Sequence, residues 1–277
     1  MIKRIVIKRI AIVLAGILVV LLGKGLFYYS WFYFAPPSEM PSYEHIVIPQ
    51  APSTEFSDVY KKGEGTILID LAHYNNFDVE ELNVLTLRLI SRGLTIEFLS
   101  PGDNLKRELS QADAFIIVCP QRKFTEEEGE NIDEFVNNGG KLLLIADPTR
   151  PSQINSLSLD FGLIFEPDYL YNMKENEINY RNIFVTEFKE NKITKDIEKI
   201  AFYTAGSISS AEGGIAFVDE NTFSNVIETR KRLSPIALVQ EAKVLAIHDL
   251  TFITEPHNGI LDNNQLISNI ADWLASP

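Results

Sequence analysis

The sequence predicts an α/β protein: a flavodoxin-like, three-layer, doubly wound and mostly parallel sheet with an added antiparallel portion, preceded by one transmembrane helix. Three observations predict it. Short apolar runs alternate with amphipathic helical segments between Gly65 and Gly162, the rhythm of a parallel sheet covered on both faces. From Glu166 onward, strand-like runs follow one another with few helices between them. The first 35 residues carry five basic side chains, no acid and a long apolar stretch.

That first stretch is read first. Lys3, Arg4, Lys8 and Arg9 precede an apolar run from Ile10 to Leu22. The run alone has the length of a signal-peptide hydrophobic region. The whole span Ile10 to Ala35 is long enough to cross a bilayer with tilt. Its far end, "LFYYSWFYFA", is dense in aromatic rings, as in an interfacial belt, and Lys24 can snorkel or face a partner. Ala35 is followed by Pro36, a poor place to cut, so the segment reads as an uncleaved anchor rather than a cleaved signal. The basic cluster lies before the span, and Glu39, Glu44, Glu55 and Asp58 lie after it. The expected orientation puts Met1 in the cytoplasm and the folded part outside, in a single-pass membrane protein.

Residues 1–35 are therefore expected to form a basic tip and anchor, 36–62 a linker and 63–277 the folded domain. The linker holds Pro36, Pro37, Pro41, Pro49 and Pro52, a composition that favours extended chain and a domain held off the membrane. Within it, "HIVIP" from His45 to Pro49 is a candidate edge strand.

In the folded part, "TILIDLA" reads as a buried strand, followed by an amphipathic helix, "VEELNVLTLRLISRG", stopped by Gly93. A strand (Thr95 to Leu99), a short helix around "LKRELSQA" and a strand (Ala114 to Val118) follow. "TEEEGENIDEFVNN" opens with a capping box of Thr125 and Glu128 and ends at Gly139-Gly140. The strand "KLLLIA" and a helix around "SQINSLSLDFG" complete the alternating half. "NIFVTEF", "KIAFYTAGSI", "GIAFVDE", "PIALVQE" and "KVLAIHDL" read as the antiparallel addition and the last sheet strand. "NNQLISNIADWLA" closes the fold with a stripe of Leu266, Ile267, Ile270, Trp273 and Leu274, Asn263 serving as a helix cap.

Composition narrows the function. With 277 residues and 45% apolar content there is one sizeable core. The net charge is -13 and residues 1–35 hold +5, so the remainder carries -18. So acidic a surface repels nucleic-acid phosphates and anionic headgroups, and it argues against a nucleic-acid partner. The single cysteine, Cys119, rules out an intrachain disulfide.

Several segments together resemble a known family: "GTILIDLAHYNNF", "ADAFIIVCPQRKFTEEEGENIDEFVNNGGKLLLIADPTR", "DYLYN" and "KVLAIHDLTFITEPHNGILDNNQLISNIADWL". They are similar to the class I glutamine-amidotransferase-like domain of unknown function found in membrane-anchored bacterial and archaeal proteins. Its relatives include gliding-motility (Gld-type) ABC-transporter auxiliary proteins and the amino-terminal domain of an intraflagellar-transport protein. The resemblance covers about Gly65 to Leu274, and its arrangement of Pro, Thr-x-Glu-Glu and Gly-Gly is shared with trehalose-utilisation-type proteins. It implies a flavodoxin-like sheet and a non-enzymatic, envelope-facing role, auxiliary to an ABC-type transporter or envelope assembly. Amidotransferases carry a Cys-His-Glu triad with the Cys in a G-x-C-x-G elbow, where the helix dipole lowers its pKa. Cys119 lies instead in "IIVCPQ", and His248 and His257 are in no H-x-E pattern.

The candidate ligand residues are those at the carboxyl ends of the predicted strands, where open α/β sheets bind ligands: His73, Asn75, Asn76, Gln121, Asp147, Arg150 and Asp249. Each has a plainer reading. Asn75 and Asn76 are turn formers, His73 can end a strand, and Gln121, Arg122, Thr149 and Arg150 can be solvated loop residues. Asp70, Asp147 and Asp249 could join His73 around a metal only in space, since no His-rich spacing supports one. No catalytic residue, metal or cofactor is assigned. The expected function is a membrane-anchored extracytoplasmic binding or scaffold domain whose partners are the membrane and transporter or envelope subunits. A carbohydrate-binding module using Tyr74 or Tyr169 stays open. So does a hydrolase acting on envelope sugar or peptide through His73 and strand-end carboxylates.

Overall fold

The computed structural model describes residues 2–29, 56–227 and 232–276, and packing divides the chain into two units, Met1–Pro49 and Gln50–Pro277. In the first unit, helix α1 (Ile2–Tyr29) contains a 23-residue stretch, Val6–Tyr28, of mean hydropathy 2.6. At about 1.5 Å per residue this spans about 35 Å, against a hydrocarbon core of about 30 Å. The helix is long and apolar enough to cross a membrane, a property that signal sequences share. It runs through Gly23, Lys24 and Gly25 without a break. The aromatic residues beyond Tyr29, the linker to Glu55 and the segment His45–Pro49 lie outside the described residues.

In the second unit the chain forms β1 (Thr66–Asp70), α2 (Asn83–Ser91), β2 (Thr95–Leu99), α3 (Leu105–Leu109), β3 (Ala114–Val118), α4 (Glu126–Asn137), β4 (Lys141–Ile145) and α5 (Asn155–Ser158). There follow β5 (Ile164–Phe165), β6 (Leu170–Asn172), β7 (Asn182–Phe188), β8 (Ile200–Tyr203), β9 (Ile208–Ser209), β10 (Gly214–Val218), β11 (Thr222–Ser224), β12 (Ile236–Val239), β13 (Val244–Ile247) and α6 (Asn263–Ala275). Nine strands make one sheet in the order β2-β1-β3-β4-β13-β12-β10-β7-β8. The first five are parallel and, with β13 as the fifth strand, have the flavodoxin order. The other four extend the sheet antiparallel beyond β13. β6 with β11 and β5 with β9 form small separate ribbons.

β1, β3, β4 and β13 are near-continuous apolar runs because both of their faces are covered, whereas the edge strand β2 is largely exposed. Side chains alternate across the sheet. Ile67, Ile69, Ile116 and Ile145 pack with Leu85 and Leu89 of α2 and with Leu266 and Ile270 of α6. Leu68, Phe115, Ile117 and Leu144 pack on the opposite face with Leu109 of α3, Ile132 and Val136 of α4 and Leu157 of α5. This is the three-layer arrangement that the sequence predicts.

Local signals set most boundaries. Glu128 N–H donates to Thr125 Oγ1 (3.3 Å) while the Glu128 carboxylate accepts from Thr125 N–H (2.8 Å), closing the capping box. Gly139 ends α4 in the left-handed region, at φ +106. The segment expected as one helix from Val79 begins with a 3-10 turn, Val79–Leu82, and becomes α-helical only at Asn83. Asn263 does not cap α6; Asp262 holds that position. The Asn263 side chain instead accepts from Ala201 N–H (3.0 Å) and donates to the Ala201 carbonyl (2.9 Å). β8 is an edge strand whose open side needs partners, and that demand outweighs the cap.

Residues 56–62 carry neither helix nor strand, yet they are fastened to the domain. Arg92, fully buried at the carboxyl-terminal cap of α2, donates to Asp58 through both terminal nitrogens (3.1 and 3.0 Å) and to Asp272 through Nε (2.6 Å). The guanidinium of Arg88 stacks on Phe56 and that of Arg92 on Tyr60, each 4.7 Å from the ring centroid.

Candidate functional site

All seven candidate ligand residues lie past the carboxyl ends of β1, β3, β4 and β13, in one row along the parallel half of the sheet. The tightest cluster joins the loops after β1 and β3. Asp70, the last residue of β1, is fully buried, and His73 is 1% exposed. His73 Nδ1 lies 2.9 Å from both carboxylate oxygens of Asp70. Its Nε2 lies 2.8 Å from Nη2 of Arg122. A guanidinium can only donate, so Nε2 accepts and the ring proton sits on Nδ1, donated to Asp70. Arg122 in turn donates to both oxygens of Glu128, at 3.2 and 2.7 Å. The imidazole lies flat on Phe124, with centroids 3.7 Å apart and planes 21° apart. The His73 carbonyl accepts from the N–H groups of Gln121 (3.0 Å) and Arg122 (2.9 Å).

Two polar chains continue along the row. Asn75 donates to the Val118 carbonyl (2.9 Å), and Asn76 N–H donates to the Cys119 carbonyl (2.9 Å). The Asn75 side-chain oxygen is buried without a partner. Arg150 donates to the Asn76 carbonyl (2.9 Å) and forks onto Glu81 at 2.7 and 2.5 Å. Farther along, Asp147 accepts from Thr149 N–H (2.8 Å) and from Leu250 N–H (3.2 Å), tying β4 to the loop after β13. Asp249 points away from this row. Fully buried, it accepts from Tyr203 N–H (2.5 Å) and Thr251 N–H (2.7 Å). His73, Asn75, Asn76 and Gln121 are thus brought together, Arg150 and Asp147 adjoin them, and Asp249 serves the far half of the sheet.

The electrostatics follow from these contacts. Burial works against the Glu128 charge, but hydrogen bonds from Arg122 and Thr125 outweigh it and bring its pKa to about 2. The Arg150 fork likewise lowers Glu81. Cys119 moves the other way: burial first, then the nearby Asp147, pushes its thiol up to about 12. Its φ of +42 is a left-handed conformation that non-glycine residues seldom adopt. Burial, with Asp147 adding, raises Asp249 well above the usual carboxylate range.

At these strand ends the His73, Arg122, Arg150 and Asp147 side chains are paired with other groups of the protein, while the buried Asn75 oxygen is left without a partner. Cavities of 470 to 910 Å³ lie elsewhere, along the β10–β11 turn and around the amino ends of the strands. What the row offers to solvent is Tyr74, 67% exposed, with Gln121 and the edge of Arg122 beside it. Among the described residues no three His, Cys, Asp or Glu side chains cluster as metal ligands.

No protein-family model and no curated protein sequence matches the chain. Solved structures do. The mmIFT52 N-terminal domain matches with a TM-score of 0.63 at 15% identity, over 76% of this chain and 98% of that one. The chain shares the fold of that domain. A ThuA-like protein from Parabacteroides merdae matches with a TM-score of 0.44 at 12% identity, over 78% and 91% of the two chains. The glutaminase domain of Trypanosoma brucei CTPS, with bound acivicin, matches with a TM-score of 0.37 at 8% identity, over 76% and 94%. At such identities the likeness speaks to the fold, and the site has to be argued from this chain's own residues.

Sequence reasoning undervalued two groups. Glu128 reads as a helix cap and also anchors Arg122; the signal was an acid within one loop of an arginine. Arg92 was not singled out, although it falls at i+7 from Leu85 and i+3 from Leu89, where the apolar stripe of α2 runs on into its carboxyl-terminal cap.

Proposed function

We propose that this chain is a membrane-anchored, extracytoplasmic binding or scaffold domain that acts through contacts rather than turnover. Its partners would be subunits of an ABC-type transporter or envelope assembly. The observation that carries the reading is the locked His73. Both ring nitrogens are engaged, the ring is stacked and buried, and no lone pair is left for a substrate proton. Cys119 is a poor nucleophile on other grounds: burial, with Asp147 adding, holds its thiol near 12, so almost no thiolate forms at neutral pH. What remains is a rigid platform capped by an exposed Tyr74, the kind of amphipathic aromatic that anchors protein interfaces. Helix α1 supports the anchoring, and the resemblance noted in the sequence supports the choice of partner class.

The test is capture of the full-length chain from gently solubilised native membranes, alongside a Tyr74→Ala, Gln121→Ala variant. Stoichiometric recovery of membrane-protein subunits by the natural chain, reduced in the variant, is the expected result. Recovery of the chain alone from cross-linked membranes, or hydrolysis of envelope glycan or peptide by the purified chain, would overturn the proposal.

A further inference from the structure

Past Arg9, helix α1 carries a single charge, Lys24. It stands in the middle of an otherwise uncharged stretch: Arg9 lies fifteen residues before it, and the next charge, Glu39, lies fifteen after it. No Asp or Glu precedes Glu39, so the helix itself holds no counter-charge. At about 1.5 Å per residue, Lys24 is about 22 Å beyond Arg9, inside a hydrocarbon core of about 30 Å. An uncompensated ammonium at that depth is costly.

Such a lysine has two ways out: its head reaches the interface, or it meets an opposite charge. The first runs against the helix. Helical side chains lean toward the amino terminus of their helix. In the orientation expected from the basic tip, that end is cytoplasmic, so the Lys24 stem starts away from the nearer, outer interface. The sequence beyond it agrees. Gly25 to Ala35 hold no charge and seven aromatic residues, a belt that puts the interface past Lys24.

The shape of the helix favours the second. Leu21, Lys24, Gly25 and Tyr28, spaced i, i+3, i+4 and i+7, share one face and line a hollow of 590 Å³. Gly25 opens it: a Cβ built there would meet no atom within 4 Å. Small residues at such a point let a second helix come close. Toward the amino terminus the face continues through Ile17, Leu14 and Ile10, in alternating steps of four and three, the spacing of a helix-packing seam. A lone polar residue on such a seam fixes register and partner.

We infer that this face of α1 packs against a transmembrane helix of a different membrane protein, one that carries an aspartate or glutamate at the depth of Lys24. The inference rests on the membrane-anchored reading above and gives its partner a chemistry. Charge selects the occupant. A second, parallel copy of this chain would set Lys24 against Lys24 with no acid on either helix. An acidic helix instead turns two charges that are costly in lipid into one hydrogen-bonded pair.

The experiment uses the full-length chain in its native membranes. A photo-cross-linking amino acid replaces Leu21 or Tyr28 on this face, or Val19 or Leu26 on the opposite one. Each is combined with natural Lys24, Lys24→Leu or Lys24→Arg, and carbonate extraction accompanies every sample. Expected is one cross-linked membrane protein of different sequence, captured about threefold or more better from Leu21 and Tyr28 than from Val19 and Leu26, weakened by a similar factor in Lys24→Leu and kept in Lys24→Arg. Lys24→Leu makes α1 more apolar, so a lost cross-link does not come from failed insertion. Mass spectrometry of the cross-linked peptide should find an Asp or Glu within one helical turn of the contact. Exchanging the charges, with Lys24→Asp here and lysine in place of that acid, should restore the yield. Cross-links indifferent to the face or to Lys24→Leu, a captured helix without an acid, or capture of a second copy or of lipid alone would overturn the inference in a chain that carbonate leaves in the membrane. Release of the chain by carbonate would overturn the anchored reading, and this inference with it.

Discussion

The imidazole of His73 accepts a hydrogen bond from Arg122 at 2.8 Å and gives its proton to Asp70 on the other side, so one buried ring joins the ends of β1 and β3. Removing it leaves the buried Asp70 carboxylate with only the Ala72 N–H (3.0 Å) as donor. His73→Ala should therefore destabilise the domain by about 2–4 kcal/mol, the range for breaking a buried, charge-assisted network. Arg122→Ala should cost less, since its side chain is 36% exposed. In the double variant the two losses should fall short of adding, by about 1 kcal/mol or more, because both act on one network. Thermal unfolding of the full-length chain in detergent checks this; strictly additive losses would mean that the two residues are not coupled.

Asp58 and Arg92 predict a second, local effect. Arg92 is fully buried and Asp58 is its bidentate partner. Asp58→Ala leaves that guanidinium with Asp272 and Ser268, and a loss of about 2–3 kcal/mol is expected. The segment Phe56 to Lys62 should loosen before the rest. Trypsin should then cut after Lys61 and Lys62 at least several times faster in the variant. Equal cleavage would show that the two arginine–aromatic stacks hold the segment alone.

The parallel half of this fold was readable in the sequence because its central strands are apolar runs and α4 has its own start and stop, the Thr125–Glu128 box and Gly139. The antiparallel half was readable as strands but not as an order. Its strands are bounded by left-handed turns at Thr204 and at Gln240 to Ala242, residue types that carry no turn signature of their own. The row of strand-end residues was legible from position alone. That they close on one another was not, because the fork from Arg150 to Glu81 joins residues far apart in sequence. Asn263 shows the same limit: a sequence displays a capping residue, but not the open edge of β8 that claims its side chain.

Cys119 gives a chemical prediction. With its thiol held near 12, the thiolate fraction at pH 8 is on the order of 10⁻⁴, and the sulfur is buried as well. Iodoacetamide at pH 8 should leave the native chain unmodified over hours and label it within minutes once unfolded. Cys119→Ala should preserve the fold and every partner contact. Rapid native labelling would place the thiol at an open, activated site and revive an enzymatic reading.

Acid should weaken the same row in a defined window. Glu128 is ordinarily a group of pKa near 4.5, and in the folded chain it lies at about 2. A carboxylate whose folded pKa is depressed contributes stability above its unfolded pKa and loses it as the pH falls through the folded value. The contribution of Glu128 is therefore intact at neutral pH and declines from about pH 4.5 to about pH 2. Glu128→Gln keeps a side chain that can still close the capping box, but it removes the charge that Arg122 meets. The variant should melt below the natural chain at pH 7, and the gap should shrink by more than half as the pH approaches about 2. Asp58 and Glu81 are also held low by their arginine partners, so the variant retains some acid sensitivity of its own. A gap that stays constant down to low pH would mean that Glu128 acts by shape alone, and that the chain from Arg122 to His73 does not depend on its charge.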